Sequence, residues 1–134
     1  MSVRKVYIFQ PRFLVKMTIL VACLSTGKGT WGHVNRLIED EKWDSVILLT
    51  NEYGKENFNK RENTELIVIN LNAGMMELET EIYNVLKSKI KGSEIGVNFI
   101  SGTGKEHMAL MGAVMKLGLG FRLVALTKEG VEEV

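Results

Sequence analysis

Short apolar runs alternate with amphipathic stretches along most of this chain. Thr18-Ile19-Leu20-Val21-Ala22-Cys23-Leu24 is almost continuously apolar, the pattern of a strand covered on both faces. From Trp31 to Asp40, Val34, Leu37 and Ile38 fall on one helical face. Val46-Ile47-Leu48-Leu49 and Leu66-Ile67-Val68-Ile69 read as the second and third buried strands, and the polar, Asn- and Lys-rich residues 53–63 between them as a loop or a short, poorly buried helix. Residues 75–91 predict the longest helix, with Leu78, Ile82, Val85, Leu86 and Ile90 on one stripe. A fourth strand is expected over 95–100, a helix over 105–117 and a fifth strand over 121–126, with Gly118 and Gly120 closing the helix between them. Glu132-Glu133-Val134 read as a short last strand.

Strands separated by helices specify βαβ units, whose crossovers make the strands parallel and place helices on both faces. The expected fold is therefore α/β, a Rossmann-like three-layer arrangement with a mainly parallel sheet in the order 3-2-1-4-5. The 105–117 helix is apolar nearly all round, with Met108, Leu110, Met111, Ala113, Val114, Met115 and Leu117. It is expected to be wedged between the sheet and a second surface, a partner subunit being one candidate.

Composition narrows the class. At 134 residues, 46% hydrophobic and 25% charged, the chain reads as one globular domain. Its single cysteine, Cys23, excludes an internal disulfide and a cysteine-cluster metal site. The apolar stretch 108–126 is interrupted by Lys116 and Arg122, which argues against a membrane span. No secretory signal is legible, so the expected location is cytoplasmic. Charge is uneven: residues 1–16 hold Arg4, Lys5, Arg12 and Lys16 with no acid, while all 16 acidic residues lie in 17–134. The domain proper, 17–134, is thus slightly acidic, and long nucleic acid is not an expected partner. Residues 1–16 read either as a basic extension ahead of an alternative start at Met17 or as an edge strand built from Val3, Val6, Tyr7, Ile8 and Phe9 and ended by Pro11.

In the order 3-2-1-4-5 the first and fourth strands are neighbours, and ligands favour the crevice at their C-terminal ends. These are the two strands followed by hydroxyl- and glycine-rich turns, Ser25-Thr26-Gly27-Lys28-Gly29-Thr30 and Ser101-Gly102-Thr103-Gly104-Lys105. Each turn feeds a helix N-terminus able to receive an anion and brings one lysine. The plainer alternative is that the glycines make tight turns and the lysines are solvated. Gly27-Lys28-Gly29-Thr30-Trp31-Gly32 also matches GxGxxG, but the acid at the second strand's end, Glu52, lies twenty-five positions beyond Gly27, where about twenty is usual. Neither turn is a Walker A loop.

His33 and His107 fall in the first turns of the two helices, as polar caps, phosphate donors or proton-transfer groups. Trp31 could stack on a base or pack the helix start, and Tyr53 shares that ambiguity. Asn51 could read a base edge or cap the following segment. Cys23, inside a strand, reads as a small core residue.

The two turns resemble those of a CARF domain, the CRISPR-associated Rossmann-fold sensor. The resembling parts are Leu24-Ser25-Thr26-Gly27-Lys28-Gly29-Thr30-Trp31-Gly32-His33-Val34 and Val97-Asn98-Phe99-Ile100-Ser101-Gly102-Thr103-Gly104-Lys105-Glu106-His107-Met108. The family commonly carries Asn-x-[Thr/Ser]-Gly-Gly-Thr-Lys-x-Met at the second place. Here Thr103 and Gly104 stand where Gly-Thr is expected, and His107 lies between Lys105 and Met108. The resemblance implies a homodimer whose crevice binds cyclic oligoadenylate, such as cyclic tetra-adenylate, the second messenger of type III CRISPR antiviral defence. It implies a stand-alone sensor, with a separate effector protein as a further partner, or a ring nuclease that opens the messenger by metal-independent attack of a ribose 2′-hydroxyl, with no cofactor. By position, Ser25, Thr26 and Lys28 resemble one half of a phosphate cradle and Thr103, Gly104 and Lys105 the other, with His33 or His107 as proton-transfer group. Gly27, Gly29, Thr30, Trp31, Asn51, Ser101 and Gly102 complete the candidate ligand-binding set. Two other classes stay open: a mononucleotide- or dinucleotide-binding domain or enzyme, whose pocket would close within one subunit, and a non-catalytic protein-interaction domain whose turns bind nothing.

Overall fold

Ile19–Leu24 forms β1, and all six of its residues are buried because helices cover both faces of the sheet. The computed structural model describes residues 18–25 and 28–134, Lys28 by its backbone alone; the expectation for residues 1–16 lies outside the described residues. After a 3-10 turn at Lys28–Thr30 come α1 (Trp31–Asp40), β2 (Ser45–Thr50), α2 (Glu52–Asn57), β3 (Thr64–Val68), α3 (Met75–Lys89), β4 (Glu94–Asn98), α4 (Gly104–Lys116), β5 (Gly120–Thr127) and β6 (Gly130–Glu133). The sheet order is 3-2-1-4-5-6. β1 to β5 are parallel to their neighbours, and β6 returns antiparallel along β5. This is the Rossmann-like α/β fold that the alternation of elements predicts.

Alternate residues of the central strands build two separate cores. Ile19, Val21 and Cys23 face α3 and α4 with Ile47, Leu49, Ile95 and Val97. Leu20, Ala22 and Leu24 face the other way, with Val34, Leu37 and Ile38 of α1 and Val46 and Leu48 of β2. Full burial of one such aliphatic side chain is worth about 1.5–3 kcal/mol, so β1, which feeds both cores, anchors the domain.

Local chemistry moves several boundaries. The fourth strand stops at Asn98 rather than Ile100, because the Asn98 side chain accepts the Ile100 N–H at 3.1 Å and turns the chain. Residues 52–57 are helical, capped by Asn51, whose Oδ1 accepts the Gly54 N–H at 2.8 Å. Gly54 lets α2 approach β2: a Cβ there would fall 1.9 Å from Thr50 Oγ1. The longest helix ends at Lys89, two residues early, as Ile90 turns extended. Gly118, at φ +71, ends α4 in a Schellman arrangement, with its N–H on Met115 O and that of Leu119 on Val114 O; Gly120 instead begins β5.

α4 is less enclosed than its composition suggests. Ala109, Leu110, Ala113 and Val114 are buried, but Met108 and Met115 are 66% and 68% exposed. The flank towards α3 holds a buried acid, Glu79, which lies over Gly112 and accepts from Lys116 Nζ at 3.1 Å. Among the described residues, no helix is long and apolar enough to cross a membrane.

Candidate functional site

β1 and β4 lie side by side, paired at Leu20–Gly96, Val21–Val97 and Ala22–Asn98. From their C-terminal ends the chain departs to opposite faces, since α1 packs in one core and α4 in the other. Such a divergence is where α/β sheets generally take ligands. Ser25, the 3-10 turn Lys28–Thr30 and the second glycine-rich turn sit on this crest.

The turns are bonded to each other. Ser25 N–H donates to Ser101 Oγ at 3.3 Å, and Ser25 Oγ–H donates to Glu106 Oε1 at 2.6 Å. Ser25, Ser101 and Glu106 are all buried. Gly102 adopts φ +103, a conformation only glycine takes without strain, and a Cβ there would lie 2.7 Å from Glu106 Oε1 and 3.0 Å from Cys23 Cβ. Thr103 caps α4: its Oγ1 accepts Glu106 N–H at 3.3 Å while Glu106 Oε1 accepts Thr103 N–H at 3.2 Å. This is a complete capping box.

α1 begins differently. Its N-cap, Thr30, makes no side-chain cap bond, and its first turn carries no acid. Both helix N-termini are electropositive, but the one at α4 already holds the Glu106 carboxylate.

The remaining candidates divide by position. Lys105 Nζ donates to Ala73 O, tying the start of α4 to the loop before α3. His107 Nε2 lies 2.7 Å from Ser101 O, so it must be the protonated nitrogen, and the ring lies 4.8 Å from that of Phe99. Gly29 and Gly104 face open space. His33 is directed elsewhere: its Nε2 accepts the Leu126 N–H at 3.2 Å, beside Asn98 Nδ2 at 3.4 Å, and burial lowers its pKa. Its proton accordingly sits on Nδ1. Trp31 is buried, with Tyr53 and Phe58 rings within 5.8 and 5.9 Å, and Asn51 is engaged as the α2 cap. Thr26, Gly27 and the Lys28 side chain lie outside the described residues.

Two residues of the second CARF-like stretch, Glu106 and Asn98, are not among the site residues that the resemblance implies. Glu106 was signalled by the Thr103-x-x-Glu106 spacing of a capping box. Asn98, 3% exposed, donates to Val124 O at 2.8 Å and stands out as a polar residue ending an apolar strand. Cys23 lies beneath the crest, where burial first and the Glu106 charge second push its thiol up to about 12; it stays protonated and is no nucleophile.

Gly32 bears on the dinucleotide alternative. The third glycine of that fingerprint serves close helix–strand packing, yet a Cβ on Gly32 meets nothing within 4 Å. Glu52 lies in the first turn of α2 and is exposed.

The elements thus define a Rossmann-like α/β domain whose first and fourth strands are neighbours at the switch point of the sheet. No family model matches the chain, and no curated protein does. Among solved structures it is similar to the C-terminal domain of a hydrogenase from Pyrococcus furiosus, with a TM-score of 0.44 at 15% identity over 81% of this chain and 91% of that one.

Proposed function

We propose that this domain binds cyclic oligoadenylate at the crest, as a homodimer in type III CRISPR signalling. The observation that carries the reading is the direct bonding of the two glycine-rich turns across β1 and β4. It joins the starts of two helices, one of which has no acid in its first turn, at the place where α/β domains take nucleotides. In this reading phosphate lies at the start of α1 near Lys28, and Lys105 exchanges Ala73 O for a phosphodiester oxygen. The second copy covers the apolar surface of Met108, Met115, Phe121 and Leu123, all exposed in the single chain.

If the ring is opened, the ribose 2′-oxygen bonds to the adjacent phosphorus as the bond to the 5′-oxygen breaks. The products are a cyclic 2′,3′-phosphate and a free 5′-hydroxyl, with the 2′ proton lost to a base and the 5′-oxygen protonated in turn. His107, whose Nε2 is occupied by Ser101 O, offers Nδ1 for such transfer. His33 Nε2 is occupied by the β5 backbone.

Titration of cyclic tetra-adenylate against wild type, Lys28→Ala and Lys105→Ala tests the proposal. Each substitution is expected to weaken binding by about 1–3 kcal/mol with little change in stability. Unchanged affinity in both, or a strictly monomeric mass with and without ligand, would overturn it. The exposed apolar surface also favours a second reading, a protein-interaction domain. In that case the variants change nothing, and Met108→Lys or Met115→Lys abolishes association with a protein partner.

A further inference from the structure

Glu106 is a buried acid, 5% exposed, where the two turns meet. Its part in capping α4 is complete with the Thr103 N–H. The second bond to the same oxygen, from Ser25 Oγ at 2.6 Å, crosses to the other turn, eighty-one residues away. It lies beside the Ser25 N–H to Ser101 Oγ bond, so Ser25 donates to the second turn through both its backbone and its side chain. The Ser25 bond turns that hydroxyl's proton to the carboxylate and withdraws it from any phosphate. A carboxylate at the base of the crevice also repels an anion there, by an amount that grows as water is excluded.

We infer that Glu106 is a positioning and selectivity residue of the crest. It locks Ser25 against the second turn, and its charge directs the anionic part of a ligand to the N-terminus of α1 and away from the backbone N–H groups that open α4, leaving the long Lys105 side chain to reach it. The charge-steering half rests on the nucleotide-binding reading above; the lock does not.

Glu106→Gln and Glu106→Ala separate the two halves. Glutamine keeps a carbonyl acceptor for Ser25 and Thr103 while removing the charge, whereas alanine removes both. Amide hydrogen exchange reads the lock without any ligand. In Glu106→Ala, exchange at both Ser25 and Thr103 should accelerate by ~10-fold or more, with Val21 and Val97 unchanged. In Glu106→Gln both amides should keep their protection. The Ser25 amide is informative because its partner is Ser101 rather than Glu106: acceleration at Thr103 alone would mean a simple helix cap and would overturn the lock.

Cyclic tetra-adenylate is the probe for the charge. Glu106→Gln should bind it ~3- to 10-fold more tightly than wild type at low salt, the gain shrinking as salt rises, and Glu106→Ala should bind it more weakly than Glu106→Gln. Equal or weaker binding by Glu106→Gln would overturn charge steering. Failure of all three proteins to bind the probe would overturn both the nucleotide reading and the steering that rests on it, while hydrogen exchange would still decide the lock.

Discussion

At the end of β4 the chain enters α4 through a fully furnished turn: a glycine at positive φ, a threonine cap, and a buried glutamate bonded to both turns. At the end of β1 it enters α1 through a 3-10 turn whose N-cap makes no side-chain cap bond and whose first helical turn has no acid. The two turns share serine, threonine, glycine and lysine. Their likeness in composition conceals a difference: the first turn of α4 carries an acid and that of α1 carries none. What decides the attraction for an anion is whether the helix N–H groups and their partial charge are already matched from within.

The comparison breaks most visibly at the glycines. Gly102→Ala forces an alanine into positive φ and against Glu106 Oε1 and Cys23 Cβ, and is expected to cost about 2–4 kcal/mol in denaturant melts. Gly104→Ala, which meets nothing within 4 Å, should stay within about 0.5 kcal/mol. Equal losses would mean that the second turn is not sterically determined.

Thr103→Ala comes next. Losing that cap should cost about 1 kcal/mol, measured by the same melts, with no loss showing that the capping box is dispensable. Gly32→Glu then converts the first helix start towards the second. It places an acid in the first turn of α1, in open space, and should stabilise the fold by about 1 kcal/mol through propensity and the dipole together. If the start of α1 is where anions go, the same variant should lose affinity for cyclic tetra-adenylate; retained affinity would remove that distinction between the turns.

The smallest effect is a pH slope. His33 is held neutral as an acceptor, its pKa lowered by burial from an ordinary value of 6.5. Below that value the unfolded chain binds a proton that the folded chain resists, so stability present above it is lost as pH falls through the folded pKa. Melting temperature should therefore decline with acidification more steeply in wild type than in His33→Gln; identical slopes would show that the imidazole does not couple folding to protons.

Much of the fold was legible because β1 to β3 are runs of apolar residues and α1 and α3 keep a helical stripe. The end of β4 was not, since it is set by a side chain, Asn98, competing for a backbone N–H. α2 was left undecided because its contact with β2 depends on a glycine, Gly54, which leaves no hydrophobic signal. At the crest, the hydroxyls and glycines announced two turns, and the Thr103–Glu106 spacing carried the cap. The bond from Ser25 to Glu106, and that from Leu126 to His33, join residues far apart in the chain. No local pattern encodes them.

The direction of the sheet has a practical outcome for handling the protein. Thr18 precedes β1 at the end of the sheet opposite the crest, held by Asp44. Val134 follows β6, which runs back from the crest along β5, and its N–H donates to Leu123 O midway along that strand. A dye or affinity handle attached at Val134 would thus leave from the β6 edge of the sheet, level with the middle of β5 and away from the crest.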